Sequence, residues 1–429
     1  MAKRANGEGS IYPYRNGYAA HVWVTTPTGE RKRKSVYGKT REEVHAKWLK
    51  LHQAAHRGPV ATSLPSLTSY LGYWLKEIVG PHLAPATFSS YEMLVRLYIA
   101  PKLGKKRLDK LTVRDVQTWL NKLVRECQCC AQGKDAARSP AQRRCCASGK
   151  CCESTISERT ARDAWTTLRN ALNNAIREEL LTRNVASLVK APKPRRRKEK
   201  PWTVEEARRF LESARRDGDP MYPAYVQILV LGFRRGEALG TTDDVVNWDG
   251  WDQPCERHGA TFCSECFARH DVELMVEEQV QRVGGKLYRR EVKTESSEAP
   301  IPLPAIVATA FALAIKRREE LRKVATEWED SNLILTTARG RPIEPRNFNR
   351  SFHKRCEKAG VRRIKVHTTR RTCASLLVAL DVHPRVAMQV LRHSQISVTM
   401  NIYAEVSSKE SREALKRLGG ILEDDSGTP

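Results

Sequence analysis

The chain has 429 residues and a mass of 48.7 kDa, enough for about three domains, and its 40% hydrophobic content excludes global disorder. Its 75 Lys and Arg against 49 Asp and Glu give a formal charge of +26, more than solubility requires, which indicates a polyanionic partner. Because no apolar run approaches the ~20 residues that cross a bilayer and MAKRANGEGS lacks a signal peptide's apolar stretch, we expect a cytoplasmic protein with no membrane partner.

The first predicted module, residues 1–57, is a short β-sheet followed by a helix. Strand-like runs at 9–12 and 18–24 are rich in aromatic and β-branched residues, and helical spacing of apolar residues begins after Thr40. Basic residues alternate with Tyr and Trp along the strands, a composition that suits a β-ribbon in a DNA groove. A solvated hairpin whose aromatic residues form a small core explains the pattern equally well.

Residues 65–190 predict a four-helix module that a cysteine-rich insertion, residues 127–152, interrupts. Apolar residues recur at helical spacing between Tyr70 and Tyr98, and Thr112 has the position of a helix cap. A fourth helical pattern follows the insertion. The sequence therefore predicts one all-α module that contains this insertion.

A proline-bounded basic run, residues 191–201, is typical of an extended linker between domains. The largest predicted domain, residues 202–420, begins where Thr203 and Glu206 have the spacing of a capping box. An acidic tail, residues 421–429, follows it.

Two parts of the largest domain concentrate residues that suit chemistry on an anion. Arg234 lies in Leu-Gly-Phe-Arg-Arg-Gly-Glu-Ala-Leu, whereas His367 and Arg370 lie three residues apart, so on a helix they share one face and can converge on one anion. His393 and Tyr403 follow. Each residue alone is more often structural, but the five together in this order favour a catalytic site.

These segments resemble those of the tyrosine recombinases, the phage-integrase family. That family typically shows Gly-Leu-Arg-x-x-Glu-Leu, His-x-x-Arg-His-Thr and Leu-Gly-His-Ser segments and then a tyrosine, and the chain supplies all four in order. Arg371 and Arg392 stand where the family usually has histidine and glycine. The resemblance implies catalytic roles for six residues: Arg234, Lys293, His367, Arg370, His393 and Tyr403.

The resemblance also implies a multidomain fold with a small β-sheet-plus-helix amino-terminal DNA-binding module, an all-α, SAM-like core-binding domain, and a mainly α catalytic domain with a small antiparallel sheet. The implied function is that of a site-specific DNA recombinase, an integrase that integrates or excises a mobile element such as a phage or plasmid. The implied partners are double-stranded DNA attachment sites, a homotetramer on DNA that exchanges residues 408–418, and an excisionase or a DNA-bending host factor.

The chemistry of these side chains agrees with that reading. Forked guanidiniums bind a phosphodiester whose charge grows in the transition state, and neighbouring cations favour the phenolate of a tyrosine whose ordinary pKa is about 10. We expect His367 to accept the Tyr403 proton, Lys293 to protonate the leaving 5′ oxygen, and His393 to donate to the phosphate. A 3′-phosphotyrosyl ester preserves the broken bond, so no catalytic cofactor is expected.

Ten of the twelve cysteines fall into two clusters, which in a reducing compartment favours metal ligation or free thiols over disulfides. In the insertion 251–270, four residues have the spacing of a structural zinc site, with His270 as a spare ligand and an unmetallated loop as the alternative: Cys255, His258, Cys263 and Cys266. Seven more could hold one zinc with spares or two with outside ligands: Cys127, Cys129, Cys130, Cys145, Cys146, Cys151 and Cys152. The basic residues that lie between these cysteines in the sequence could contact phosphates or could have only a structural role in the insertion.

Two other functions fit part of the sequence. A type IB topoisomerase uses similar groups to relax DNA, but the amino-terminal module argues against it. A zinc-dependent DNA-binding regulator with an inactive catalytic domain fits the basic charge and the cysteines. A covalent protein–DNA adduct and its dependence on a specific site distinguish the three.

Overall fold

The computed structural model describes residues 11–26, 29–58, 64–194, 199–250, 271–292, 300–393 and 395–403. The chain divides into two units, Met1–Arg196 and Arg197–Pro429. Within the described ranges, no helix is both long and apolar enough to span a membrane.

The amino-terminal module is a three-stranded antiparallel sheet covered by one helix: β1 (Tyr12–Tyr14), β2 (Gly17–Thr25), β3 (Arg31–Gly38) and α1 (Arg41–Arg57). Alternate residues of β2, among them Val22 and Val24, pack on Val44 and Trp48 of α1, as the period of two along a strand requires. Thr40 caps α1 by accepting the backbone N–H of Glu43.

The face of the sheet that α1 does not cover carries exposed aromatic residues. Trp23 and Tyr37 are each 53% exposed, and the Arg31 guanidinium lies 5.7 Å from the Trp23 ring centroid. The buried residues of the small core are aliphatic apart from Trp48, and Tyr18 packs against them partly buried. The sheet therefore presents aromatic rings and cations together on its open face.

The rest of the first unit is helical. Its α-helices are α2 (Leu67–Tyr73), α3 (Gly80–His82), α4 (Pro85–Leu94), α5 (Ala100–Leu103), α6 (Val113–Leu123), α7 (Gln128–Ala131) and α8 (Glu158–Arg177), with π-helical turns Trp74–Val79 and Val95–Ile99 and 3₁₀ turns Leu108–Lys110, Pro140–Gln142, Cys146–Ser148 and Val185–Leu188. Two buried indoles tie the helices to the backbone of other segments, because Trp119 donates to the Tyr98 carbonyl and Trp165 to the Ala186 carbonyl, each at 2.9 Å. The capping box predicted at Thr112 is present, with Asp115 as its second member.

The second unit is mainly helical with small antiparallel sheets. Its elements are α9 (Val204–Arg216), α10 (Tyr222–Val230), α11 (Arg235–Gly240), β4 (Val246–Asn247), β5 (Glu273–Leu274), β6 (Glu278–Val283), β7 (Lys286–Glu291), β8 (Ile301–Pro302), α12 (Ala305–Val324), α13 (Pro345–Lys358), α14 (Val366–Ala379), α15 (Pro384–Leu391) and α16 (Ile396–Tyr403). Strands β4, β5 and β8 form one sheet in that order, and β6 pairs with β7 as a hairpin. The predicted capping box of Thr203 and Glu206 opens α9.

Tyr225 lies in the aromatic centre of this unit and leads to a stability prediction. It is fully buried among the rings of Phe210, Phe348 and Phe352, and within the described part of the chain its hydroxyl has no hydrogen-bond partner. An unsatisfied buried polar group costs about 1–3 kcal/mol. We expect Tyr225→Phe to raise the free energy of unfolding by about 1 kcal/mol, measured by chemical denaturation. A lower unfolding free energy would show that the hydroxyl has a stabilising partner.

Candidate active site

The segment that carries Arg234 reaches the site because Gly232 allows a close approach. Gly232 has φ +62°, and a Cβ atom there would lie 2.6 Å from Cδ2 of Leu391 and 3.3 Å from Sγ of Cys373. Arg234 follows two residues later and immediately precedes α11. A side chain at position 232 would therefore push this segment away from α14 and α15.

Arg370, on α14, joins three parts of the site. Its guanidinium is buried and donates from Nη1 to the Gly232 carbonyl at 2.7 Å, from Nη2 to the Leu391 carbonyl, and from Nε to Nε2 of His393 at 3.4 Å. Burial, and then the charge of Arg234, lowers the pKa of Arg370 to about 10, so it stays cationic at neutral pH. The buried cation thus sets the positions of both neighbouring segments.

Glu237 is the buried anion that organises the cations. Its Oε1 accepts from Nη1 of Arg234 at 2.6 Å and its Oε2 accepts from Nη2 of Arg392 at 2.7 Å. Burial by itself would raise the pKa of Glu237, but the charges of Arg392 and Arg234 outweigh it and hold that pKa below its ordinary value. Since 48% of the Arg234 side chain remains exposed, this ion pair orients a cation that an external anion can reach.

Arg392 belongs to the site, which the sequence reasoning missed. The one sequence feature that pointed to it was that an arginine stands where the family usually has glycine. Its backbone is left-handed, with φ 51° and ψ 52°, a conformation that glycine adopts at lower cost. Its buried guanidinium lies 4.3 Å from the Phe233 ring centroid and pairs with Glu237. Among the described residues, its Nε and Nη1 have no hydrogen-bond partner.

The two histidines are held in their neutral forms. Burial first, and then the charges of Arg370 and Arg234, lowers the pKa of both His367 and His393, in the case of His393 to about 4. Because the Arg370 Nε–H can only donate, Nε2 of His393 is an acceptor, which places the ring proton on Nδ1, 2.9 Å from Oγ1 of Thr399. His367 lies in the first turn of α14, and its lowered pKa keeps it neutral, so it can accept a proton.

Tyr403 is not brought into this hydrogen-bonded cluster. Its hydroxyl donates to the Val382 carbonyl, and burial followed by the charge of Asp381 raises the pKa of Tyr403. The sequence predicts cations that favour the phenolate, but in this arrangement the pKa of Tyr403 is raised rather than lowered. Among the described residues, Arg234, His367, Arg370 and His393 make no hydrogen bond with the phenol.

Two family models match the chain. Residues 271–410 match the Phage integrase family, and residues 66–124 match the model described as Phage integrase, N-terminal SAM-like domain. The chain belongs to the phage integrase family. The resemblance seen in the sequence is therefore confirmed, and the protein is a tyrosine-type site-specific recombinase.

Relatives and solved structures span most of this recombinase. An integrase of Saccharopolyspora erythraea is 25% identical over 458 residues, covering 97% of each chain. A XerC-like tyrosine recombinase of Caldanaerobacter subterraneus subsp. tengcongensis is 25% identical over 415 residues, covering 92% of this chain and 93% of the relative. The Tn1549 transposon integrase bound to transposon right end DNA aligns with a TM-score of 0.57 at 20% identity, over 82% of this chain and 99% of the other. The predicted fold class is confirmed by this likeness and the SAM-like match.

The neutral histidines of this recombinase predict how its stability depends on pH. An unfolded histidine titrates near 6.5, above the folded pKa of His393, so between about pH 6.5 and pH 4 the unfolded state binds more protons. The free energy of unfolding should therefore fall as the pH is lowered through this window. Denaturation at about pH 7 and about pH 5 measures the fall, which His393→Gln should reduce and His82→Gln, at an exposed site, should not. An equal fall in all three proteins would contradict the assignment.

Several predicted residues lie outside the described part of the recombinase. They are Lys293, the predicted zinc ligands Cys255, His258, Cys263 and Cys266 with the spare His270, and residues 408–418. The hairpin of β6 and β7 ends just before Lys293, and the N–H of Val292 donates to the Glu277 carbonyl at 2.7 Å. The roles given to these residues stay predictions.

The seven cysteines of the first insertion do lie together. Their sulfur atoms form two groups, each with all four ligand atoms within 4.8 Å of one another: Cys127, Cys130, Cys146 and Cys151 in the first, and Cys129, Cys145, Cys146 and Cys152 in the second. None forms a disulfide. Four convergent thiolates are the ligand set that zinc prefers in structural sites. This insertion is therefore the part of the described chain that fits a metal.

Proposed function

We propose that this integrase cleaves and rejoins DNA at specific sites through a 3′-phosphotyrosyl ester on Tyr403. The observation that supports the proposal is that three separate segments bring four residues to one place beside Glu237: Arg234, then His367 and Arg370 of α14, and His393. Each cation lies close enough to shift the pKa of another, as Arg234 does for Arg370. A phosphodiester is the anion in this enzyme's chemistry that fits such a site.

The proposed reaction balances without an external energy source. The phenolic oxygen of Tyr403 attacks the phosphorus atom, the bond from phosphorus to the 5′ oxygen breaks, and His367 accepts the phenolic proton. Lys293 would return a proton to the departing 5′ oxygen. A 5′ hydroxyl of another strand then attacks the phosphotyrosyl ester and releases Tyr403. The proposed chemistry uses side chains alone.

Two hydrogen bonds must be exchanged before this reaction. Tyr403 must release the Val382 carbonyl, after which cations near the bound phosphate lower the pKa that burial and Asp381 now raise. His393 has both ring nitrogens engaged, so it can donate to the phosphate only after one of its present contacts is lost. The described arrangement therefore corresponds to a state that precedes cleavage.

The proposed partner is double-stranded DNA carrying attachment sites. The charge of +26 supplies many phosphate contacts, and the exposed Trp23 and Tyr37, with Arg31 beside the Trp23 ring, suit a groove. The Tn1549 transposon integrase, which shares the fold, was solved in complex with transposon right end DNA. Because exchange of two duplexes requires two cleavages in each, we propose that four protomers assemble on the DNA, with an excisionase or a bending factor setting direction.

The decisive experiment uses a labelled duplex that spans the junction of the circularised element. A nick beside the cleavage position lets the short 5′ hydroxyl fragment diffuse away, so that the covalent intermediate accumulates. We expect a band that resists denaturing detergent and carries label. Binding without any adduct would favour the DNA-binding regulator, and efficient relaxation of plasmids that lack the junction would favour the topoisomerase.

A further inference from the structure

The insertion between α6 and α8 gathers seven sulfur atoms in a segment with little core of its own. The apolar core of the helical module continues to Leu123 and Val124 and resumes at Ile156, and within the described chain its members skip the residues between them. The segment holds only short turns, at Gln128–Ala131, Pro140–Gln142 and Cys146–Ser148. Something other than apolar packing must therefore stabilise its fold.

The sulfur separations fit a shared metal and exclude disulfides in this arrangement. The Sγ–Sγ distance is 3.9 Å for Cys127 and Cys146, 3.8 Å for Cys130 and Cys151, 3.8 Å for Cys129 and Cys145, and 3.7 Å for Cys146 and Cys152. A disulfide needs about 2.0 Å. Zn–S bonds of about 2.3 Å in a tetrahedron put the sulfur atoms about 3.8 Å apart.

The number of ligands is the decisive point. Cys146 belongs to both groups of four, so two tetrahedra that share one corner use all seven cysteines. We propose that this insertion binds two zinc ions in a dinuclear thiolate cluster, with Cys146 as the bridging ligand. One zinc would leave three converged thiols unused, and two separate zincs would need a ligand from elsewhere. Cys127 and Cys152, one from each group, also lie 3.9 Å apart, so the two groups are in direct contact.

Asp135 holds the bridging segment in place. Its carboxylate is fully buried and accepts the backbone N–H groups of Arg144 at 3.2 Å and of Cys145 and Ala147 at 3.0 Å each. Arg138 completes its hydrogen bonds at 2.8 Å. Cys145 and Cys146 are thereby held in a fixed turn, which places one terminal ligand and the bridge before any metal is bound.

Charge around the cluster is also consistent with two metal ions. Seven thiolates and two divalent cations leave three net negative charges. Arg138 is paired with Asp135, and four other basic residues of the insertion can offset these charges: Lys134, Arg143, Arg144 and Lys150. The first role of these cations is therefore to neutralise the cluster.

Metal analysis of the full chain, purified without a histidine tag, tests the stoichiometry. The double variant Cys255→Ser with Cys263→Ser removes the other predicted zinc site, so that the remaining metal belongs to the first insertion. We expect two zinc ions per chain by plasma mass spectrometry. A value of one or zero in a folded chain would overturn the proposal, as would disulfides found in freshly purified protein.

Replacement of zinc by ¹¹³Cd tests the bridge itself. Two cadmium resonances, each split by the other through the shared sulfur, are expected, whereas two unsplit resonances or one resonance would overturn the assignment. Cys146→Ser should lose the splitting and at least one metal ion, and Cys356→Ala, at a buried cysteine of the other unit, should keep both. Retained splitting in the Cys146 variant would place the bridge elsewhere and reject the proposal. These readouts need no recombination activity, so they stand apart from the adduct assay.

Discussion

Replacing Tyr403 by phenylalanine should abolish the covalent protein–DNA adduct while DNA binding is kept. The change removes one oxygen atom, the proposed nucleophile, and with it the hydrogen bond to the Val382 carbonyl. Loss of a nucleophile removes the chemical step itself, so we expect a fall in adduct formation of at least about 10³-fold. The cations proposed to bind phosphate stay in place.

The measurement combines the nicked duplex with a mobility-shift assay on the same DNA. Tyr225→Phe is the matched control, because it makes the same chemical change at a buried position of the same unit and should leave adduct formation intact. Peptide mapping of the wild-type adduct should find the nucleotide on Tyr403. An adduct that persists in the Tyr403 variant would reject both the nucleophile and the proposed mechanism.

Replacing Glu237 by alanine should destabilise the second unit by about 3–5 kcal/mol. The carboxylate lies between Arg234 and Arg392, and the Arg392 side chain is only 2% exposed. Removing the anion leaves a buried cation without its partner, which is the costly case for an ion pair. The variant should also weaken binding of the nicked duplex, since Arg234 loses the group that orients it.

A double-mutant cycle separates this cost from a general effect of the substitution. Arg392→Gly removes the buried cation and suits the left-handed backbone at that position. The double variant should therefore lose less unfolding free energy than the two single variants lose together. Glu92→Ala, in an exposed pair with Arg96, is the control and should change the unfolding free energy little. Strict additivity in the cycle would show that the two side chains are not coupled.

Local features of the fold could be predicted because they depend on a few neighbouring residues. The caps at Thr40, Thr112 and Thr203 follow from side-chain oxygens that reach an N–H three residues on, and all three are present. The family resemblance could also be recognised from the sequence, because it depends on the order of four short motifs and not on how the segments between them pack. The exposed aromatic face of the first sheet could not be predicted, because alternation along a strand does not say which face a helix covers.

The sequence by itself determined which side chains are available and in what order: two arginines, a lysine, two histidines and a tyrosine for phosphate chemistry, and seven cysteines close enough in the chain to meet. Only the tertiary structure decided three further matters. Arg392 pairs with Glu237, 155 positions away in the chain, which also pairs with Arg234. Cys146 lies in both sulfur groups, and the Tyr403 hydroxyl donates to the Val382 carbonyl. The physical reason is that helix period and capping act over three or four residues, whereas the partner of a buried charge or a hydroxyl is chosen by packing between distant segments.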